Sequence, residues 1–249
     1  MDALNFELLL RILVAHFLSD FIFQRKAWAE KKDALGVVSG YFWLHIAITM
    51  ITLSVLLWDL NLWPVIVWVS VGHLMLDALK SKLSNTGIWF FVADQLLHLL
   101  LIVIIWLIYS HQMELFCQTV SELVNNQKLW CLLLAYLLIT IPSSVLIDKI
   151  TRKWSDELDK TEQEKGLEKA GKWIGIMERF LIITFIITNN FGAIGFLLAA
   201  KSVFRFGDLQ NASARKKTEY IIIGTFLSFT IAIIIGLIYN FIMQFEYNP

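Results

Sequence analysis

Apolar segments long enough to cross a lipid bilayer recur along the whole chain. Hydrophobic residues make up 57% of it and charged residues only 17%, below the roughly 25% usual in soluble proteins. A helix needs about 20 apolar residues to cross a hydrocarbon core of about 30 Å. The sequence therefore predicts an all-α, polytopic transmembrane bundle with about eight spans. The expected spans are 5–23, 38–57, 62–79, 88–109, 129–147, 173–188, 191–206 and 219–243.

The distribution of basic residues predicts how these spans are oriented. Lysine and arginine favour cytoplasmic loops. Here they cluster after the first, third and fifth spans and at the end of the seventh, whereas the opposite loops contain only Lys128. The sequence Asn189-Asn190-Phe191-Gly192 is a turn signal that separates the sixth span from the seventh. We therefore expect a multi-pass protein with both termini on the outer side of the membrane.

Four regions are expected along the chain. The third carries charges of both signs at i,i+4 spacing, which is typical of a solvated helix on a surface. The formal net charge is zero, so no basic field points to nucleic acid as a partner. The regions are 1–110 (a four-helix membrane domain), 111–147 (an external loop and the fifth span), 148–172 (a charged cytoplasmic linker helix) and 173–249 (a three-span unit).

Histidines and aspartates interrupt the first four spans at matched depths. Three of these spans carry a histidine and an aspartate four residues apart, which places both on one helix face. Their order is reversed in the fourth span, as expected for helices that run in opposite directions. The helical rise puts the histidines about 9–15 Å below the cytoplasmic surface and the aspartates one turn shallower. The residues are His16, His45, His73, His98, Asp20, Asp77 and Asp94.

This cluster has three possible roles. An ionisable group inside a bilayer costs about 2.5–3.5 kcal/mol on insertion scales, so these groups must face one another, water or an ion. Imidazole and carboxylate are ligands of Zn, Fe or Mn, which favours a metal site. In such a site Asp20, Asp77 and Asp94 ligate, orient a histidine or act as general base. The alternatives are a proton or ion pathway and polar contacts that join the helices.

Two further groups of polar residues lie near the expected cytoplasmic surface. Gln24 and Lys80 each follow an aspartate by one turn or less, so they can bind an anionic headgroup or phosphate over a metal. Charged residues also enter the last three spans, where ion pairs that fasten the helices are favoured over recognition of a lipid headgroup or a protein partner. This secondary charged cluster comprises Glu178, Arg179, Lys201, Arg205 and Glu219.

A series of motifs extends over about the first 110 residues. It comprises His16-Phe-Leu-Ser-Asp20-Phe-Ile-Phe-Gln24, a lysine at 31 or 32, His45, His73-x-x-x-Asp77-x-x-Lys80 and Asp94-Gln95-x-x-His98. This series resembles DUF3307, a family of bacterial integral membrane proteins whose activity is unassigned. The later pieces around 178–179, 201–208 and 219–228 resemble the C-terminal half of its longer members. The resemblance implies an inner-membrane location in bacteria.

The pattern as a whole favours a membrane enzyme. We expect a metal-dependent hydrolase that acts on a lipid or isoprenoid phosphate at the cytoplasmic leaflet, in which the histidines and aspartates hold the divalent metal and Gln24 and Lys80 contact the substrate. A transporter or channel for protons or metal ions is the first alternative. The second is a non-catalytic anchor or sensor that contacts a cytoplasmic protein through residues 148–172 and 207–217.

Overall fold

The computed structural model describes residues 6–83, 87–156, 170–203 and 212–245. These residues form helices joined by short turns, with no strand among them, so the all-α prediction is confirmed for this part of the chain. Arg205 and the central part of the expected linker helix, 157–169, lie outside the described residues. The chain divides into two compact units, Met1–Glu122 and Leu123–Pro249.

The first unit contains four long or interrupted helices and two helices that the sequence analysis did not anticipate. The expected first span is an α-helix that continues as a π-helix, and a polar helix, α2, follows it before the second span begins. The helix α6 occupies the expected external loop. The elements are α1 (Glu7–Phe17), a π-helix (Leu18–Phe23), α2 (Lys26–Leu35), α3 (Gly40–Leu57), α4 (Trp63–Leu83), α5 (Ile88–Ser110) and α6 (Met113–Val124).

An apolar core fills one end of the first unit. On α1, α4 and α5, an apolar residue lies one helical turn from the histidine, on the side away from the aspartate. These residues are Ile12, Val69 and Ile102, each at most 2% exposed. They belong to one cluster with Leu53 and Trp106. Because a four-residue step keeps residues on one face, the polar residues of each helix lie directly beside this core. The core therefore closes one side of the polar cluster.

The second unit is built from shorter helices around one long helix. Its elements are α7 (Gln127–Leu138), α8 (Ile141–Asp156), α9 (Ala170–Ile187), α10 (Phe191–Val203) and α11 (Ala212–Phe245). The expected turn separates α9 from α10, with Asn189 at a φ of 55°. The fifth expected span is interrupted at residues 139–140, just before Pro142. Proline lacks the N–H that would bond the carbonyl four residues earlier, so it breaks the helix there.

Within the described part of the chain, four segments are long and apolar enough to cross a membrane. They are Gly40–Leu57, Ile88–Ser110, Gln127–Asp156 and Thr218–Gln244. They indicate a membrane protein, but the expected number of eight spans is not confirmed. The other expected spans are either short, as α1 and α10 are, or carry charged residues within the helix, as α4 and α9 do. By length and mean hydropathy alone, these helices do not meet the requirements for a membrane span.

A close contact between two helices of the second unit yields a stability prediction. A Cβ atom on Gly236 of α11 would lie 2.7 Å from Cδ1 and 3.2 Å from Cβ of Ile186, a fully buried residue of α9. We expect Gly236→Ala to lower the free energy of unfolding by about 1–3 kcal/mol through overpacking. Unfolding in mixed detergent micelles, followed by circular dichroism, measures this change.

A matched substitution controls for helix propensity. Gly195 of α10 also lies inside a helix, and a Cβ atom there would meet nothing within 4 Å. Gly195→Ala should therefore leave stability unchanged or raise it by up to about 1 kcal/mol. Equal effects of the two substitutions would contradict the close approach of α9 and α11.

Candidate metal centre

The first unit brings all seven predicted histidines and aspartates into one region. Helices α1, α3, α4 and α5 pack against one another, and each contributes a histidine that is at most 3% exposed. The ring centroids of His73 and His98 are 4.4 Å apart, those of His45 and His73 5.0 Å, and those of His16 and His98 5.5 Å. The four rings therefore form one contiguous buried cluster.

Four side-chain atoms define the centre of this cluster. Nε2 of His45 lies 2.9 Å from Nε2 of His73. Oδ1 of Asp20 lies 3.5 Å from each of these nitrogens. Oδ2 of Asp77 also lies 3.5 Å from each of them. We call this set the four-ligand core. Two overlapping groups, His16–Asp20–His73 and His45–His73–Asp77, are close enough to hold a metal ion.

The π-helix Leu18–Phe23 carries Asp20 into the four-ligand core. A π-helix is wider than an α-helix, and single π-turns occur frequently at functional sites. The Ser19 hydroxyl lies 2.9 Å from the carbonyl oxygen of His16 and 3.2 Å from Oδ1 of Asp20, so it can donate to either. The element ends at Gln24, where the backbone becomes extended. The half-buried Gln24 thus lies one π-turn beyond Asp20.

Several histidine nitrogens in this cluster have no hydrogen-bond partner among the described residues. Nδ1 of His98 lies 2.9 Å from the backbone carbonyl of Asp94. A carbonyl only accepts, so this nitrogen carries the proton and Nε2 has a free lone pair. Four histidine nitrogens are buried without a hydrogen-bond partner among the described residues: Nε2 of His98, Nδ1 of His45 and both nitrogens of His16. Because an unsatisfied buried polar group costs about 1–3 kcal/mol, these nitrogens fit a site that receives a ligand.

A lysine that the sequence analysis did not assign to the site reaches its centre. Lys32 of α2 is buried, and its Nζ atom lies 2.9 Å from Oδ2 of Asp77. The neighbouring Lys31 instead lies over the ring of Tyr41, with Nζ 5.3 Å from the centroid. The motif at 31 or 32 was a signal for this residue. Only the packing of α2 against α3 and α4 distinguishes the two lysines.

Asp94 lies beside the four-ligand core and pairs with a different lysine. Nζ of Lys80 is 3.2 Å from Oδ2 of Asp94 and 3.8 Å from Oδ2 of Asp33 on α2. Partial burial raises the pKa of the Asp33 carboxyl, although the ammonium groups of Lys80 and Lys32 oppose this shift. Asp33 therefore takes up a proton at a higher pH than an ordinary aspartate, and Asp94 is the closer partner of Lys80.

The secondary charged cluster lies in the second unit. Nζ of Lys201 and Oε2 of Glu178 form an ion pair at 2.6 Å. The adjacent Arg179 is buried and donates to neutral acceptors, including the carbonyl oxygens of Ile139 and Thr140 at the helix break. Glu219 is exposed on α11. Of the predicted cluster, the described residues bring together Glu178, Arg179 and Lys201.

Residues 8–126 match the model of a family described as a protein of unknown function, DUF3307. This part of the chain is similar to the DUF3307 family. The DUF3307 segment contains the four-ligand core, His16, His98, Asp94 and the contacts of Lys32 and Lys80, so the predicted resemblance is confirmed for this region. No curated protein and no solved structure matches the chain significantly.

The buried contact of Lys32 yields a second stability prediction. Replacing Lys32 with methionine keeps its volume but leaves the Asp77 carboxylate without its ammonium partner. Removing one partner of a buried ion pair costs about 3–5 kcal/mol. We therefore expect Lys32→Met to lower the free energy of unfolding strongly in detergent micelles, and Asp77→Asn to recover part of the loss in the double variant.

Lys26 provides the control on the same helix. Its side chain is 92% exposed and pairs with Glu30 at 4.0 Å. Because exposed ion pairs contribute little, Lys26→Met should leave stability nearly unchanged. Equal losses of stability in Lys26→Met and Lys32→Met would contradict a buried ion pair between Lys32 and Asp77.

Proposed function

We propose that the DUF3307 segment holds a divalent metal ion at the four-ligand core and uses it to hydrolyse a lipid or isoprenoid phosphate. The observation that carries this proposal is the set of nearly equal distances between two imidazole nitrogens and two carboxylate oxygens. The chain supplies these atoms from three separate elements, α3, α4 and the π-helix. Such convergence is what a metal site requires.

Four distances within the four-ligand core match the separation of ligands around a metal ion. Metal–ligand distances of about 2.0–2.2 Å for Zn²⁺ imply ligand–ligand separations of about 3.3–3.6 Å in a tetrahedron. Each histidine Nε2 lies 3.5 Å from both carboxylate oxygens, which is inside this range. The distance of 2.9 Å between the two nitrogens is shorter, so the imidazoles would separate slightly around an ion. Mixed imidazole and carboxylate ligands suit Zn, Fe or Mn.

The charge of the cluster also favours a bound cation. With neutral histidines, Asp20 and Asp77 carry two negative charges, and Lys32 supplies one positive charge to Asp77. Within the described part of the chain, the ion-pair partners of Asp20 inside 4.0 Å are His16, His45 and His73. A buried carboxylate needs a cation or a protonated partner. A divalent ion between the two aspartates would meet this need.

The residues around the core suit the handling of a phosphate ester. When bound, the ion would supply Lewis acidity and help to form a nucleophile at neutral pH. Lys80, whose side chain is 21% exposed, would bind the phosphate, with Gln24 at the end of the π-helix. Asp94, next to Lys80, would accept a proton from the attacking water. His16 and His98 keep lone pairs directed into the cluster for further ligation or proton transfer.

The apolar core beside the cluster favours an enzyme over a transporter. Ile12, Val69 and Ile102 are buried one turn beyond the histidines of α1, α4 and α5, so apolar side chains occupy these three positions. A proton or metal-ion pathway would need polar groups there. We further propose that the site opens toward the cytoplasmic leaflet of a bacterial inner membrane, where the basic loops are expected.

Metal analysis of the purified protein tests the proposed site. We expect a stoichiometric divalent metal in the wild-type protein, and its loss by at least about tenfold in His73→Asn and Asp20→Asn, because each removes a ligand. The fifth histidine provides a control: His111 is exposed and adopts a φ of 53°, which asparagine tolerates. His111→Asn should keep the full metal content when measured by elemental mass spectrometry.

Two outcomes would contradict the metal site. One is wild-type protein that is folded and free of metal even after purification with added Zn, Fe or Mn. The other is His73→Asn protein that retains a full equivalent. If metal is absent while Lys32→Met still destabilises the protein, the cluster joins the helices through polar contacts instead.

Phosphate release from lipid substrates tests the proposed reaction. In lipid nanodiscs that contain an isoprenoid or phosphatidic phosphate, we expect metal-dependent release of inorganic phosphate by the wild-type protein. Asp94→Asn should lower the turnover number by about 10²–10⁴-fold as expected for a lost general base. Lys80→Gln should mainly raise KM. Metal binding without release of phosphate from any such lipid would keep the metal site and overturn the hydrolase.

A further inference from the structure

A cavity of about 510 Å³ in the second unit lies among α8, α9 and α11. Its wall includes the charged side chains of Asp148, Lys172, Glu178, Arg179 and Lys201. It also contains hydroxyl groups and apolar side chains such as Ile147 and Ile221. A concave site with apolar walls and a few convergent polar groups is typical of a ligand pocket. This cavity belongs to a different unit from the metal centre and plays no part in the proposed hydrolysis.

The charges around the cavity do not balance. Glu178 is neutralised by Lys201 at 2.6 Å, and Asp148 and Lys172 are exposed and of opposite sign. Arg179 is the remaining charge, so among the described residues of the wall three cations face two carboxylates, a net charge of +1. Arg179 is only 2% exposed.

The hydrogen bonds of Arg179 go to neutral acceptors. Its Nε atom donates to the carbonyl of Ile139 at 2.5 Å, and Nη2 donates to the carbonyl of Thr140 at 3.2 Å and to Oγ of Ser144 at 2.6 Å. Its Nη1 atom donates to Oγ of Ser228 at 3.0 Å. In the described part of the chain, no carboxylate lies within ion-pair distance of this guanidinium. A buried cation without a counter-ion is costly unless an anion completes the site.

The position of the cavity along the helices indicates where such an anion comes from. Ser144 to Thr151 lie in the last part of the apolar segment Gln127–Asp156, and Tyr220 to Ser228 lie near the start of the apolar segment Thr218–Gln244. The cavity thus occupies the ends of two segments that can cross a membrane. Phosphate headgroups lie at that level of a bilayer, with acyl chains directly below.

We infer that this cavity binds the phosphate group of an anionic membrane lipid. Arg179 and Lys172 attract the phosphate, the serine and threonine hydroxyls can donate to its oxygens, and the apolar wall accommodates the start of the acyl chains. Inorganic phosphate carries the same charged group without the chains. The two sources therefore differ in whether apolar contact is needed.

A cavity-filling variant tests this site without touching Arg179. Gly224 lines the cavity, and a Cβ atom there would meet nothing within 4 Å. Gly224→Leu should fill the cavity, whereas Gly195→Leu places the same side chain in open space on α10, away from the cavity wall. The full-length protein is purified in a neutral detergent. Its melting temperature is then measured against short-chain phosphatidylglycerol, phosphatidylcholine of equal chain length, and inorganic phosphate.

The proposal predicts one pattern of results. Phosphatidylglycerol should raise the melting temperature saturably in the wild-type protein and in Gly195→Leu, with an apparent Kd at least about tenfold weaker in Gly224→Leu. Phosphatidylcholine and inorganic phosphate should give much smaller shifts. The proposal is overturned if phosphatidylglycerol gives no saturable shift, if phosphatidylcholine acts equally, if inorganic phosphate binds as well as the lipid, or if Gly195→Leu weakens binding as much as Gly224→Leu.

Discussion

An ionisable side chain inside an apolar helical protein must find its partner within the protein or in a ligand, because lipid supplies neither charge nor hydrogen bonds. This requirement determines the arrangement of both units. In the first unit, seven histidines and aspartates from four helices share one buried region. In the second, the buried Arg179 donates hydrogen bonds to backbone carbonyls and side-chain hydroxyls. The apolar packing of each unit surrounds these polar groups and limits what they can contact.

The two units leave charge of opposite sign uncompensated. In the first, Asp20 faces histidines, while the nearest lysine pairs with Asp77. In the second, Arg179 faces neutral acceptors, while the nearest glutamate pairs with Lys201. A cation suits the first site and an anion suits the second, on the same electrostatic argument.

Irregular helix geometry is what makes each site possible. The π-helix at Leu18–Phe23 carries Asp20 toward His45 and His73. At the break before Pro142, the carbonyl oxygens of Ile139 and Thr140 accept hydrogen bonds from Arg179. In a regular α-helix the carbonyl of Ile139 would instead accept from the N–H four residues later. At both sites, the irregular helix geometry therefore favours contacts between helices over hydrogen bonds within one helix.

The sequence by itself determined that the chain is helical and apolar, and which residues of the first unit are polar inside it. The i,i+4 spacing of His16 and Asp20, or of His73 and Asp77, follows from helix geometry and needs no tertiary information. The family match agrees with the same motifs. The turn at Asn189 could also be predicted from the sequence, because the residues of the turn themselves determine the backbone conformation there.

Tertiary structure alone decided which of these residues share the four-ligand core. Asp94 has the same spacing to a histidine as Asp77, yet it pairs with Lys80 because the packing of α4 against α5 brings that lysine to it. Adjacent residues on a helix point in different directions, so Lys32 reaches Asp77 on α4 while Lys31 reaches Tyr41 on α3. Long side chains reach several ångströms in any direction, so their partners depend on how helices pack and not on spacing within one helix.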